Sequence, residues 1–373
     1  MSIPAQQPDA VTPADKLQQI ADGIGVSPNT VLRVLRGQNK EVWPSAIRRA
    51  DAIREMAKEL GYLPNASARA MRRGSYNSVA LLLSADRGRS YIPDDLFNAV
   101  HDALAERDLR LTIAKATDDQ LSDRRKLPSL VRDLSCDGLL INYTDHIPSG
   151  MAELIERYKL PATWINSRQE ADCVYYDDFG GSMRAVEHLV SLGHRRIEYL
   201  DFTAIEREPR RPHYSRADRY AGYVQAMKAA KLVPTTRERH AGTSVTERLA
   251  ATRSLLSSPD RPSAIICYDA PDRVLYAAAL EGLSVPRDVS LMTFASRLPR
   301  EHARGYGEAF IGRNVTSIRV PAERAGAEAV SMLLKKIASP GRPLQSTVVP
   351  LELEAGDTTG PASSSDSASS APG

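Results

Sequence analysis

The apolar residues of the first 60 positions recur at the three- and four-residue spacing of amphipathic helices, in three short blocks. Thr12-Pro13 and Ser27-Pro28 each place a capping residue before a proline, which is a pattern that starts helices. The pattern predicts helices that begin at Pro13 and Pro28 and a third over about 45–60, folding together as one module. Their predicted inward positions are Leu17, Ile20, Ala21, Ile24, Val31, Val34, Leu35, Ile47, Ala50, Ile53, Ala57 and Leu60.

From Val79 onward, short uninterrupted apolar runs alternate with helical patterns. Such runs are typical of parallel strands buried on both faces, and the remaining length suffices for two lobes. We therefore expect two parallel α/β lobes. The predicted strands are 79–83, 109–113, 138–141, 162–165, 196–200, 264–267 and 289–294. The predicted helices are 95–107, 125–134, 151–157, 180–192, 216–230, 247–256 and 272–280.

The second predicted helix has a polar outward face. Because Val31, Val34 and Leu35 face inward, Asn29, Arg33 and Arg36 are expected to point out. Arginine can bond bidentately to guanine and asparagine to adenine, so this face suits a reader of the DNA major groove. An ordinary solvated helix pair would show the same charges.

Charge favours the DNA interpretation. Residues 1–76 carry a net charge of +4, whereas the rest of the chain carries −1. A local basic excess on a near-neutral body is typical of a module that binds a polyanion.

A second basic element follows over 61–74. Gly61 ends the third helix, Pro64 enforces a turn, and Asn65 can cap a short helix that ends before Gly74. That helix carries three arginines and a single bulky apolar residue, Met71. It is either a linker helix or a minor-groove element whose apolar wedge opens a base step.

Composition and motifs exclude several function classes. Cys136, Cys173 and Cys267 lie far apart without a Cys-x-x-Cys motif, which fits a reducing cytoplasm. The chain has neither an apolar signal region nor a long apolar span, so we expect no membrane association. It has no dinucleotide-binding or Walker-type loop, and His188 and His194 are not spaced as metal ligands. We therefore expect no enzyme, no metal and no cofactor.

The residues that suggest an interface also carry a family resemblance. The chain resembles the lac/gal repressor family over about residues 16–355. The matching headpiece segments are Gly25-Val26-Ser27, Thr30-Val31, Arg33-Val34-Leu35, Gly37, Leu60-Gly61-Tyr62, Pro64-Asn65, Ala68-Arg69 and Met71-Arg72. Those in the body include Asp137-Gly138-Leu139-Leu140, Leu192-Gly193-His194, Arg219-Tyr220-Ala221-Gly222-Tyr223 and Thr316-Ser317-Ile318-Arg319.

The resemblance implies an all-α helix-turn-helix headpiece with a hinge helix, followed by a two-lobed α/β core of the periplasmic-binding-protein type. It implies a homodimeric repressor that reads a palindromic operator and wedges Met71 into its central step. The residues expected to contact DNA are Lys16, Ser27, Pro28, Asn29, Thr30, Arg33, Arg36, Asn65, Ala68, Arg69, Met71 and Arg72. Leu32 departs from the family, which usually has a phosphate-contacting serine there.

The domain boundaries follow from these elements. We expect a disordered N-terminus over 1–11, the helix-turn-helix domain over 12–63, the hinge helix and linker over 64–76, the two-lobed core over 77–356 and a disordered Ser-rich tail over 357–373. Lobe 1 is expected to contain 77–176 and 301–339, and lobe 2 to contain 177–300 and 340–356. The chain would then cross between lobes near Asp177, Arg300 and Pro340.

An effector is expected at the carboxyl ends of the strands, between the lobes. By its place in the matched motif, Arg219 corresponds to the family's effector-binding arginine. The alternative is that Arg219 merely forms an ion pair with an acidic side chain. Trp164 could instead be core packing. The other candidates are Tyr91, Asn142, Tyr143, Asn166 and Asp269.

The family usually has an acid where Ala295 stands, so the nature of the effector stays open. It is a sugar or sugar derivative, another metabolite, or no ligand at all. A secreted solute-binding protein is the alternative of a different class, and such a protein lacks a headpiece.

Overall fold

A computed structural model of the chain describes residues 13–35, 43–60, 62, 75–86, 89–122, 136–144, 147–201, 213–236, 244–296 and 314–363. The chain divides into two compact units, Met1–Tyr76 and Asn77–Gly373. The predicted helix over 125–134 lies outside the described residues.

The N-terminal unit contains three helices, α1 (Pro13–Ile24), α2 (Pro28–Leu35) and α3 (Pro44–Glu59). The predicted starts at Pro13 and Pro28 are confirmed. Ser27 Oγ accepts a hydrogen bond from the Thr30 amide at 3.2 Å, which is the predicted N-terminal cap of α2. Gly25 adopts a left-handed φ of +73° in the turn between α1 and α2, a conformation that favours glycine.

The core of this unit joins all three helices. Ile47 was predicted to face inward, and this prediction was wrong. The residue is 41% exposed because its position on α3 faces away from α1 and α2. Leu32 is only 7% exposed, so the residue that departs from the family pattern packs inward and not toward solvent. The buried core residues are Ile20, Ala21, Val31, Val34, Ala50, Ile53, Ala57 and Tyr62.

The C-terminal unit is built on two six-stranded sheets. Sheet 1 is entirely parallel, in the order β11-β5-β4-β3-β1-β2. Its strands are β1 (Ser78–Ser84), β2 (Arg110–Ala116), β3 (Gly138–Asn142), β4 (Ala162–Ile165), β5 (Cys173–Asp177) and β11 (Thr347–Pro350). Sheet 1 forms lobe 1. The described helices of lobe 1 are α4 (Asp94–Ala105), α5 (Asp118–Ser122), α6 (Ser149–Tyr158) and α11 (Ala322–Ala338).

Sheet 2 has the order β12-β10-β9-β8-β6-β7, parallel except for the β10–β12 pair. Its strands are β6 (Ile197–Leu200), β7 (Thr235–Thr236), β8 (Ala264–Cys267), β9 (Ser290–Ser296), β10 (Thr316–Val320) and β12 (Glu352–Glu354). Its described helices are α7 (Asp178–Ser191), α8 (Tyr214–Ala229), α9 (Val245–Ser257) and α10 (Pro271–Leu280). The predicted architecture of two parallel α/β lobes is confirmed.

The crossings between lobes differ in part from the prediction. The crossing at Asp177 is where the sequence placed it, since β5 belongs to sheet 1 and α7 packs on lobe 2. The second crossing follows β10, at Pro321, and the third separates β11 from β12, at Leu351. The crossings predicted near Arg300 and Pro340 are therefore wrong, because β10 pairs with β9 in sheet 2 and β11 pairs with β5 in sheet 1.

The first residues of the predicted disordered tail, 357–363, are packed against lobe 2. Thr358 is fully buried, and its carbonyl accepts a hydrogen bond from the Leu291 amide at 2.8 Å. The Gly360 carbonyl lies 3.0 Å from His194 Nε2, and the Ala362 amide donates to Leu192 at 2.9 Å. These hydrogen bonds involve backbone groups, which the amino-acid composition of the segment does not reveal.

Candidate functional site

Arg219 on α8 lies among the carboxyl ends of the sheet 2 strands. Its Nε donates to Asp178 Oδ1 at 2.7 Å, and its Nη1 reaches the Tyr268 carbonyl at 3.4 Å. Its guanidinium carbon lies 4.6 Å from the centroid of the Tyr268 ring and 4.1 Å from that of Phe294. The two rings and the carboxylate therefore fix the guanidinium plane.

The ion pair is shielded from water. The Asp178 side chain is 1% exposed and the Arg219 side chain is 11% exposed. Burial lowers the pKa of Arg219, but Asp178 and the surrounding groups outweigh this and raise it above its ordinary value. Arg219 thus stays charged and can hydrogen-bond a polar molecule placed between the lobes.

Three buried oxygen atoms around this arginine lack a hydrogen-bond partner among the described residues. They are Asp178 Oδ2, Asp269 Oδ1 and the Tyr199 hydroxyl oxygen. A buried polar atom without a partner costs about 1–3 kcal/mol, and each such group calls for a water or ligand. The site therefore has acceptors for the hydroxyl or amino groups of a bound molecule.

Asp269 lies two residues after β8, which pairs with β9, the strand that carries Ala295. Burial raises the pKa of this carboxyl group, with a further contribution from Asp201, while Arg273 and Arg219 oppose the shift. Because the pKa is raised in the folded state, the ionised carboxylate opposes folding once the pH exceeds the ordinary aspartate value. A ligand that donates a hydrogen bond to Asp269 would relieve this penalty.

Asn166 follows β4 in lobe 1 and contacts lobe 2. It has a left-handed φ of +55° and is buried. Its carbonyl oxygen lies 2.9 Å from His213 Nε2, and its side-chain oxygen accepts a hydrogen bond from the Tyr214 hydroxyl at 3.4 Å. Ser215 joins this group to the arginine, since its Oγ lies 2.8 Å from the Tyr268 hydroxyl.

The remaining predicted effector residues have structural contacts of their own. Asn142 is fully buried, and it accepts a hydrogen bond from the Tyr91 amide at 3.0 Å and donates to Ile165 at 3.3 Å. Trp164 packs in the lobe 1 core, which was the alternative weighed for it. The Tyr91 side chain is 61% exposed. The structure therefore brings together the segments that carry Asn166, Arg219 and Asp269. It gives Asn142 and Trp164 contacts within lobe 1.

Tyr143 points into the lobe 1 core. It is fully buried, and its hydroxyl donates to the carbonyls of Ala116 at 3.0 Å and Leu83 at 3.3 Å. Burial raises the pKa of this phenol to about 12. The hydroxyl thus ties β1 and β2 to the segment after β3.

Removal of that hydroxyl tests whether it is structural. Tyr143→Phe leaves buried carbonyls with one donor fewer, so we expect the free energy of unfolding to fall by about 1–3 kcal/mol. Urea unfolding followed by circular dichroism measures the change. Tyr91→Phe, at an exposed side chain, is the control and should have no effect. A stability equal to that of the unaltered chain would contradict the structural role of Tyr143.

The predicted DNA-reading face lies on α2. Asn29 and Arg33 are exposed, whereas Val31 and Val34 are buried on the opposite side of the helix. Ser27 is exposed, and Pro28, Thr30 and Lys16 are half-buried. The predicted contacts Arg36, Asn65, Ala68, Arg69, Met71 and Arg72 lie outside the described residues.

Several residues of the Arg219 site were not predicted. Asp178 was not among the predicted site residues, and its pairing with Arg219 joins residues 41 positions apart. Tyr268 follows one predicted apolar run and Phe294 ends another. Aromatic residues at such positions are typical of a hydrophobic core. The position of Tyr268 just after the strand predicted over 264–267 was a signal available in the sequence.

Similarity to known proteins agrees with this architecture. A periplasmic binding protein-like domain matches residues 186–359. The arabinose metabolism transcriptional repressor of Geobacillus stearothermophilus is 26% identical over 272 residues, which span 66% of this chain and 68% of that protein. A LacI family transcriptional regulator from Mycobacterium smegmatis, of known structure, is 26% identical, with a TM-score of 0.56, over 76% of this chain and 99% of that one.

Regulators of the lac/gal repressor family are thus similar to this chain. The lac repressor dimer bound to operator and the anti-inducer ONPF has a TM-score of 0.68 to it, at 19% identity, and covers 94% of this chain and 99% of that one. At that identity the likeness shows the fold alone. The relatives named here are transcriptional regulators.

No described helix is both long and apolar enough to cross a membrane. Among the described residues, no three histidine, cysteine or acidic side chains are grouped so that they could hold a metal ion.

Proposed function

We propose that this protein is a homodimeric, sequence-specific transcriptional repressor whose DNA affinity responds to a small molecule bound between the lobes of its core. The observation that carries the proposal is the joining of two features in one chain. One unit exposes Asn29 and Arg33 on a capped helix, and the other surrounds Arg219 with buried polar atoms at its strand ends.

In the proposed DNA complex, α2 enters the major groove of one half-site. Pro28, Asn29 and Arg33 face the base edges, and Lys16 contacts phosphate. Two copies of Met71 sit at the operator centre, where a pyrimidine–purine step unstacks most easily. Arg69 and Arg72 add phosphate contacts, so the affinity falls steeply with salt. Such a regulator works in the cytoplasm, where the DNA is.

In the proposed effector complex, a sugar or sugar derivative hydrogen-bonds Arg219 and the unpartnered carboxylate oxygens. A carboxylate accepts two hydrogen bonds and so suits neighbouring hydroxyl groups. Asp269 follows β8, the neighbour of the strand that carries Ala295, which supports an acidic contact after β8 instead of on β9. Asn166 would contribute from lobe 1 because it already reaches lobe 2. A ligand that binds one lobe arrangement better than another shifts the population toward it.

The proposal is tested by selecting bound duplexes from a random DNA pool with the purified full-length protein. We expect enrichment of a palindrome whose half-sites lie about one helical turn apart, with a pyrimidine–purine centre. A thermal-shift screen of sugars and other metabolites then identifies the effector class, since a ligand of the folded state raises its stability. Enrichment of no sequence, with and without the screened ligands, would overturn the proposal.

Replacement of Arg33 tests the reading face. We expect Arg33→Ala to relax selection at one base position per half-site and to weaken binding by about 1–3 kcal/mol, because a bidentate base contact is lost. Binding to the selected palindrome and to single-base variants of it measures both effects. Arg253→Ala, in the core, is the control. An unchanged base preference in Arg33→Ala would show that this side chain reads no base.

A further inference from the structure

The first turns of α8 touch both lobes. Asp218 and Tyr214, one turn apart on this helix, contact lobe 1, whereas Ser215 and Arg219 contact Tyr268 at a strand end of lobe 2. Arg216 donates to Asp201 at 2.6 Å and so ties the same turns to the end of β6. The position of lobe 1 and that of Arg219 therefore depend on one rigid element.

The contact with lobe 1 is centred on an ion pair. Arg168, just after β4, donates from Nη1 to Asp218 Oδ2 at 2.5 Å. The Arg168 guanidinium carbon also lies 5.4 Å from the centroid of the Tyr214 ring. Because Asp218 directly precedes Arg219, movement of lobe 1 away from α8 would break this pair next to the arginine.

Two further hydrogen bonds join the same segments. The Tyr214 hydroxyl accepts from the Tyr176 amide of β5 at 2.9 Å and donates to Asn166. His213 Nε2 lies 2.9 Å from the Asn166 carbonyl oxygen, which identifies this nitrogen as the donor. All these partners come from β5 or from the end of β4, so a single edge of lobe 1 is held.

We infer that Arg168 and Asp218 form an interlobe latch that positions Arg219 by holding the first turns of α8 against lobe 1. The inference deepens the proposed function, since it makes the lobe arrangement a determinant of the effector response. Arg168 and Asp218 are positioning residues and need not touch the ligand. A latch of this kind favours one of two lobe arrangements and thereby sets how much binding energy a ligand must supply.

The latch can be tested by distances between spin labels on the two lobes of the full-length protein. Labels at Glu156→Cys on α6 and Lys228→Cys on α8 occupy exposed positions. Cys136 is replaced by serine, whereas Cys173 and Cys267 are buried and stay. We expect Arg168→Ala and Asp218→Ala each to raise the population of molecules with a longer distance between the labels about two- to fivefold. The effect is this small because a partly exposed ion pair contributes little free energy.

A double-mutant cycle separates the latch from a merely structural role. If the two residues act together, the double alanine variant should be no more open than either single variant. The exchange Arg168→Asp with Asp218→Arg should restore the original distance distribution. Distances unchanged in both single variants, or an exchange as open as the double alanine variant, would overturn the inference.

The chain supplies a matched control pair. Arg253 and Glu281 lie entirely within lobe 2, at 2.6 Å, and their side chains are 47% and 20% exposed, against 46% and 18% for Arg168 and Asp218. Arg253→Ala should leave the label distances unchanged. The distance measurement needs no DNA, so failure of the proposed repressor function and failure of the latch give distinguishable results.

Discussion

Arg219→Met is expected to lower the free energy of unfolding of the core by about 3–5 kcal/mol. The substitution keeps an unbranched side chain next to the Tyr268 and Phe294 rings but removes the charge. It leaves the carboxylate of Asp178 buried without its counter-ion, although Asp178 Oδ2 already lacks a partner among the described residues. An uncompensated buried charge is one of the few causes of so large a loss.

Urea unfolding followed by circular dichroism measures this loss, and a second variant separates charge from packing. Asp178→Asn combined with Arg219→Met removes both charges, so we expect it to regain much of the lost stability. Arg253→Met removes one partner of a half-exposed pair and should cost under about 1 kcal/mol. A loss as small as this for Arg219→Met would mean that water compensates Asp178 and that the pair is not effectively buried.

The same variants test the proposed effector role. Once a ligand is found by thermal shift, the double variant Asp178→Asn with Arg219→Met should lose the ligand-induced stabilisation even where its own stability is restored. A ligand that stabilises the double variant as much as the unaltered chain would place its binding site elsewhere.

A chain that ends at Gly356 is expected to lose about 3–6 kcal/mol, because at least five hydrogen bonds of about 0.5–1.5 kcal/mol each disappear. Thr358 supplies three of them, as its carbonyl accepts from the Leu291 amide and its hydroxyl joins the Thr316 amide to the Leu291 carbonyl. The others involve Gly360 with His194 and Ala362 with Leu192.

A chain that ends at Ser363 is the matched control for this truncation, since all the named contacts precede that residue. We expect it to unfold at the same urea concentration as the full chain. Thr358→Val should fall between the two, because it removes both hydroxyl bonds but keeps the carbonyl contact. Equal midpoints for the chains ending at Gly356 and Ser363 would show that this segment does not stabilise lobe 2.

Much of the fold could be predicted from local pattern. Capping residues before Pro13 and Pro28 located two helix starts, and apolar runs located β3, β4 and β8 to within a residue. The helix α11 escaped prediction although its buried positions have helical spacing, because many of them are alanine or glycine. Small residues carry little hydrophobic signal. Only the structure shows that Gly326 allows α11 to pack closely against α4.

The candidate site was less predictable than the fold. Its location at strand ends followed from the parallel topology, and Arg219 followed from the family resemblance. The sequence could not say that Tyr143 points into the core while Asp269 remains without a hydrogen-bond partner on Oδ1. Both residues lie just after a strand, and which face each side chain takes depends on the packing of neighbouring elements.

By itself, the sequence determined the helix starts, the parallel α/β class, the basic N-terminal module and the family resemblance, because each of these is encoded in neighbouring residues or short motifs. Only the tertiary structure decided that Arg219 pairs with Asp178, that Arg168 meets Asp218 across the lobes, and that Thr358 bonds Leu291 in lobe 2. These contacts join residues 41, 50 and 67 positions apart, and hydrogen bonding at such separations depends on how whole elements pack.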